Sequence, residues 1–449
     1  MREKRSLTEG SVGQNLIWFA LPYLLSCFMQ TFYGMADLFV VGLYNGSQTT
    51  TAVSIGSQVI HMLTVIIVGF AMGATVRIGR SVGAGDQKAA AGAVGTGVVL
   101  FAGFAAVLTA ALVLLASPIA QVMMTPKEAV EETVSYLRIC FAGIPFITAY
   151  NVISSIFRGA GDSKHPMYFV GIACGVNIFL DFLFIGVFHM GAAGAALGTV
   201  CGQGVSVAAA LFVMGKIDLG FRVKRKDFRL QREMACDILK VGMPIALQDG
   251  LIQVAFILIT VIANSRGLIV SAGVGIVEKI ISFMFLVPSA FLSAISAITA
   301  QNMGAGRAER ARRTLTYGLG ITMGWGIFCS IYSQFLPQTL VGLFTRDTMV
   351  LAAGCTYLRS YSFDCFFAGI HFCFSGYFCG AQKSGISFLH NIVSILLVRI
   401  PGAYLASMYF PDSLYPMGLA APLGSLLSSV ICVLFYLYYG KKERERLQV

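Results

Sequence analysis

The chain has 449 residues, of which 57% are hydrophobic and only 12% charged, with a formal net charge of +11. A soluble domain carries roughly 25% charged residues, so a water-soluble fold is excluded. The positive excess admits nucleic acid or an anionic lipid surface as partner, and its placement along the chain decides between them.

Arg2, Lys4 and Arg5 precede a first apolar run that is too long for a signal peptide and is closed by no small-residue cleavage site. Helices are predicted at 16–43, 53–76, 92–115, 133–157, 166–187 and 191–214. Six more follow at 238–263, 275–299, 313–336, 355–378, 387–409 and 418–440. At 1.5 Å per residue each can cross ~30 Å of hydrocarbon. The expected fold is an all-α integral membrane protein of twelve transmembrane helices. Its parts are an N-terminal segment 1–15, a six-helix lobe 16–214, a basic linker 215–237, a second lobe 238–440 and a tail 441–449.

One set of alternate loops, with the N-terminus and the tail, holds 25 of the 32 basic residues, including Lys224, Arg225, Lys226, Arg229 and Arg232 of the linker. The opposite loops hold only Lys127, Arg266 and Arg346. This asymmetry places both termini in the cytoplasm of a cell-membrane protein. The basic linker is then expected to meet lipid headgroups, and nucleic acid is not an expected partner.

The chain also repeats. Gly83-Ala84-Gly85 returns as Gly304-Ala305-Gly306, Tyr136-Leu137-Arg138 as Tyr357-Leu358-Arg359, and Gly159-Ala160 as Gly380-Ala381, all three at one and the same interval. Pro22 returns as Pro244, one position off that register. An even number of helices per repeat gives parallel lobes, related by a pseudo-twofold axis along the membrane normal, as in transporters that rock one half against the other.

Ionisable groups inside a span are costly and are functional candidates by default. They include Asp37, Asp181, Asp249, Glu278 and Asp364. Asp37 and Asp181 fall at about the same depth in two outward-running helices. Asn177 precedes Asp181 by one turn on the same face, and Thr199 reaches a similar level. Two carboxylates, an amide and a hydroxyl form an all-oxygen set suited to Na⁺ or to a shared proton. In the register of the repeat Asp37 falls on Leu258 and Asp181 on Gly402, so the second half is expected to differ in chemistry. There Glu278, beside Lys279, is a candidate for an ion pair or for transport, and Asp364 with His371 two turns on is a candidate proton relay. Arg138, Arg359 and Arg399 are placed near helix ends as anchors. Pro22 and Pro244 kink their helices. Tyr33 and Tyr136 share the level of Asp37 and suit a cationic aromatic ligand.

Eleven cysteines are scattered without paired spacing, which predicts neither a disulfide framework nor a zinc site. GAQKS at 380–384 lacks the glycine before the lysine of a phosphate-binding loop, and neither GxSxG nor HExxH occurs. An ATP-driven pump and an enzyme are not expected. The major facilitator plan also has twelve helices, but RIGRSVGAGD after the second helix lacks that family's Asp-Arg pair.

VGAGD at 82–86, NMGAGR at 302–307, FRGAGDSKHP at 157–166, the Leu-Pro at 21–22 leading to YGMAD at 33–37, and NIFLD at 177–181 together resemble the multidrug and toxic compound extrusion (MATE) family over nearly the whole chain. The resemblance implies two lobes around a cavity that alternates between the two sides, with inward flow of Na⁺ or H⁺ driving export of organic cations and no cofactor. It implies a first-lobe cation site at Asp37, Asn177, Asp181 and Thr199, cavity residues Gln30, Tyr33 and Tyr136, and a helix bend at Pro22. It gives a second-lobe ion site no clear register, so Glu278, Asp364 and His371 remain candidates only. Small molecules and membrane lipids are the expected partners, and a monomer the expected state. The competing reading is a flippase for lipid-linked or other amphiphilic metabolites, which would line its cavity with cations where this level is acidic.

Overall fold

A computed structural model of the chain describes residues 7–447. Arg2, Lys4 and Arg5, and the end of the expected tail, lie outside the described residues. In chain order the helices are α1 (Val12–Tyr44), α2 (Ser47–Gly83), α3 (Gln87–Val122), α4 (Val130–Ala142), α5 (Ile144–Gly159), α6 (Lys164–Asp181), α7 (Gly191–Lys216), α8 (Arg232–Asn264) and α9 (Leu268–Met284). They continue as α10 (Leu286–Gly304), α11 (Ala308–Phe335), the short α12 (Pro337–Val341), α13 (Thr348–Tyr361), α14 (Asp364–Gly380), α15 (Ser384–Ser394), α16 (Ile400–Tyr409) and α17 (Tyr415–Leu447). Wide turns at Phe182–Val187 and Ile395–Arg399 extend α6 and join α15 to α16.

Among the described residues, ten helical stretches are long and apolar enough to cross a membrane, and the pair α4–α5 is an eleventh. The pair α13–α14 takes the corresponding place in the second repeat, which completes twelve spans in two sets of six. The helix predicted at 133–157 is thereby corrected. It starts earlier and bends by 44° at Gly143. The glycine has no room for a side chain, because a Cβ there would run into Val200. The break recurs in the second set, where Asp364 occupies the position equivalent to Gly143 and opens α14.

The repeat governs local geometry as well. Gly85 and Gly306 both adopt φ +72°, which a residue with a Cβ resists. Each lets the chain turn from one span into the next, with Asp86 N bonded to Ser81 O at 3.0 Å and Arg307 N to Asn302 O at 2.8 Å. Gly159 packs against Thr75 O and Ile78, and its repeat equivalent Gly380 packs against Ser296 O and Thr299. Small residues at such crossings let backbones approach in a solvent where hydrophobicity does not drive helices together.

By contacts the described residues form two compact units, one of residues 21–246 and the other of residues 7–20 with 247–447. The boundaries fall beside Pro22 and Pro244, inside α1 and α8. In the second unit the opening segment is held by Asn302 Nδ2 donating to Leu7 O at 3.3 Å and by Arg310 donating to the carbonyls of Glu9 and Gly10. In the first, the start of α8 lies against α2, with Gly73 on Ile238 and Gly242 on Phe70, backbone to backbone. An Arg77–Asp237 ion pair at 3.0 Å adds to that contact. Thr96 donates to Arg229 O at 3.1 Å and fastens the basic linker to α3.

Candidate functional site

Three helices of the first unit assemble the site, and their sequences explain how. On α1, Gln30, Tyr33 and Asp37 recur at helical spacing and share one face. On α6, Asn177 and Asp181 are one turn apart, and Asp181 is the last residue before the wide turn Phe182–Val187, where Phe188 N bonds to Leu183 O at 3.0 Å. Such wide turns disturb the regular ladder and occur often at functional sites. On α7, Gly194, Gly198 and Gly202 form a ladder of small residues four apart. A Cβ on Gly198 would collide with the Asp181 carboxylate, and one on Gly202 would crowd Ala173 O and Asn177. The glycines therefore admit α6 close enough for its polar groups to sit beside Thr199.

The Thr199 hydroxyl donates to Asp37 Oδ2 at 3.1 Å. The Asp37 carboxyl also faces Asp181 and Asn177. Exposures are 3% for Asp37, 2% for Asn177, 0% for Asp181 and 8% for Thr199, so the cluster is withdrawn from its surroundings. Its bonding capacity is nonetheless unspent. Asp37 Oδ1, both oxygens of Asp181 and both polar atoms of Asn177 have no hydrogen-bond partner. Buried carboxylates in that condition are costly, and a cation or a proton placed between them removes the cost. The donors are all oxygens, as a hard cation requires. The four residues singled out in the sequence thus meet at one place. Among the described residues no group of three or more His, Cys, Asp or Glu is arranged to hold a metal ion.

The remaining candidates are distributed differently. Tyr33 is half-buried beside Gln203 and Asp37, and Gln30 is exposed and neighbours Tyr150. Tyr136 lies within the core of its unit, 2% exposed, where its ring fills the space left by Gly56. Pro22 sits inside α1, and its carbonyl accepts from Ser26 Oγ at 3.0 Å.

In the second unit, Glu278 accepts from Thr260 Oγ1 at 3.2 Å, rather than pairing with Lys279. Asp364 is fully buried and is bound by Arg399 Nη2 at 2.8 Å, and the same nitrogen donates to Ser425 Oγ at 3.2 Å. Two expectations are corrected here. Arg399 is no helix-end anchor: it lies in the wide turn midway along its span. The partner of Asp364 is this guanidinium and not His371, whose ring rests 5.7 Å from that of His390. His390 in turn bonds Ser375 Oγ at 2.9 Å. Arg138 and Arg359 are exposed. Sequence reasoning missed the role of Gly198 and Gly202, although their four-residue spacing is a readable sign of close helix packing.

Comparison with known proteins agrees with this architecture. A Bacillus subtilis (strain 168) protein named as a probable multidrug resistance protein, YpnP, is 28% identical over 432 residues, covering 96% of each chain. A Thermotoga maritima protein named as a probable multidrug resistance protein, NorM, is 26% identical and covers 96% of this chain and 94% of its own. Among solved structures, an outward-facing multidrug resistance MATE family transporter of the MOP superfamily superposes with a TM-score of 0.90 over 100% of both chains, at 22% identity. A MOP superfamily transporter from Pyrococcus furiosus, described as having a binding pocket of reversed polarity, gives 0.91 over 100% of both chains at 22% identity. The MatE family profile matches twice, over residues 22–183 and 244–405, one match to each half of the repeat. The chain belongs to the MatE (multidrug and toxic compound extrusion) family.

Proposed function

We propose that the protein is a secondary active multidrug efflux antiporter that exports amphipathic, often cationic, small molecules in exchange for Na⁺ or H⁺. The observation that carries the proposal is the buried cluster of Asp37, Asp181, Asn177 and Thr199, in which two carboxylates approach each other with oxygens that lack partners. A coupling ion can drive a conformational cycle only by binding one state more tightly than the other, and a charged pair that must be neutralised when withdrawn from water supplies that difference. The names of the curated relatives support export of drugs. Both termini lie in the cytoplasm on this reading, the linker 215–237 joins two six-helix lobes, and the protein works as a monomer in the cell membrane without a cofactor.

The flippase reading is favoured by no observation at this cluster, since its charged groups are acidic. Proteoliposomes decide between the two. Efflux of a fluorescent organic cation that rises when an inward Na⁺ or proton gradient is imposed supports the antiporter. Gradient-independent movement of a labelled lipid-linked sugar, with no drug efflux, overturns it.

A further inference from the structure

We propose that the first unit carries a binding site for an anionic phospholipid, in a groove between α3, α5 and α7 that the basic linker closes at one end. The groove encloses about 1000 Å³, at the upper end of volumes that hold drug-sized ligands. Helices α3 and α7 both pack on α5 but hardly touch one another, so α5 is the floor and the other two are the walls. None of Asp37, Asn177, Asp181 and Thr199 lines it. The walls are apolar, as at Phe101 and Ala105 of α3 and Val207 and Leu211 of α7, and they belong to helices long and apolar enough to cross a membrane.

The linker end is polar. Lys216, Asp218 and Arg222 line it, and both cations are exposed. The Lys216 ammonium stands 4.0 Å from the centre of the Phe212 ring, which fixes it at the end of α7. Asp218 accepts from Gly220 N at 2.8 Å within its own turn. Two cations therefore face one engaged carboxylate, and Lys224, Arg225 and Lys226 follow directly in the chain. A phosphate fits this mouth, as it does other basic pockets at the cytoplasmic ends of membrane helices, whereas an organic cation would meet charge of its own sign. A second observation comes from the floor. Thr148 is 2% exposed, lines the groove, and its hydroxyl has no hydrogen-bond partner. At 1.5 Å per residue it lies ~16 Å along α5 from Gly159. The groove thus has an apolar bore, one polar group partway along it and a cationic mouth. An acyl chain along the bore with its phosphate on Lys216 and Arg222 matches that order.

The test uses the full chain purified in detergent, with lipid retention counted by native mass spectrometry against phosphatidylglycerol and phosphatidylcholine. The wild type should retain phosphatidylglycerol roughly ten- to thirtyfold more strongly, from two cations at the surface of the lipid. Lys216→Ala with Arg222→Ala should lower that to the phosphatidylcholine level, while Lys216→Arg with Arg222→Lys should keep it. Ala106→Trp, which fills the bore, should reduce retention of both lipids, with thermal melting reporting that each variant is folded. Equal retention of the two lipids by the wild type overturns the proposal. So does unchanged retention in the charge-removed or bore-filled protein, or displacement of phosphatidylglycerol by an exported organic cation.

Discussion

The Thr199 hydroxyl reaches Asp37 Oδ2 at 3.1 Å across 162 residues of sequence, joining the seventh helix to the first at the level where Asp181 ends the sixth. That bond satisfies one carboxylate oxygen and leaves three in the pair without partners. Exchange of either acid for its amide keeps the shape and removes the charge. Asp37→Asn and Asp181→Asn are each expected to cut gradient-driven efflux about tenfold or more. The double variant should be little worse than either single one, because both acids serve one ion. Initial efflux rates in proteoliposomes, with protein yield and melting temperature as controls, check this. Wild-type rates in both single variants would remove the first unit from the coupling mechanism.

Gly198 gives a test of geometry rather than charge. Its Cβ position is taken up by the Asp181 carboxylate, so Gly198→Ala must push α6 and α7 apart or displace the acid. Overpacking of this kind costs about 1–3 kcal/mol. Efflux should fall and the melting temperature should drop. Gly204→Ala, whose Cβ would meet only Phe146 at an ordinary 3.9 Å, should leave both unchanged. Equal behaviour of the two variants would contradict the close packing.

The Asp364–Arg399 pair separates stability from coupling. Arg399→Met leaves a fully buried carboxylate unpaired and is expected to destabilise the protein by about 3–5 kcal/mol. Adding Asp364→Leu should restore most of the loss, read as the denaturation midpoint in detergent. If the double variant is stable and still exports under a gradient, the pair is structural. A stable double variant without export would assign coupling to the second unit.

Orientation is tested at the linker. Lys226 is exposed, so Lys226→Cys in a background lacking the native cysteines, among them the nearby exposed Cys236, should react with an impermeant maleimide in opened cells only. Labelling in intact cells would place the linker outside and reverse the assignment of both termini.

The number of spans and their duplication were readable because they rest on long apolar runs and on glycines whose backbone roles recur at a fixed interval in the two halves. The first-unit cluster was readable for a related reason: acids in hydrocarbon are scarce, and depth along a helix is simple arithmetic. The Asp364–Arg399 bond was not. Its partners are 35 residues apart on different helices, and the wide turn at Ile395–Arg399 rotates Arg399 in a way that regular helical spacing does not describe. The break at Gly143 was hidden too, because a 44° bend leaves the apolar run uninterrupted. Tyr136 shows the limit of reasoning by depth, since the level of Asp37 includes core positions such as the space beside Gly56.

The exchange of opening segments, by which residues 7–20 pack with 247–447 and the start of the eighth helix packs with 21–246, constrains how the protein is made. The carbonyls of Leu7, Glu9 and Gly10 find their donors on Asn302 and Arg310, in the second half of the chain. At about 5–20 residues per second the ribosome reaches those donors only after about 15–60 s. For that interval the first half sits in the bilayer with its own leading segment undocked, and for the first about 12–48 s of it the bed for the start of the eighth helix, at Phe70 and Gly73, is uncovered as well. Neither half is a finished folding unit by itself, so assembly completes only when synthesis is well advanced, and a chain that ends after the sixth span lacks both the donors for its leading segment and the cover for Phe70 and Gly73.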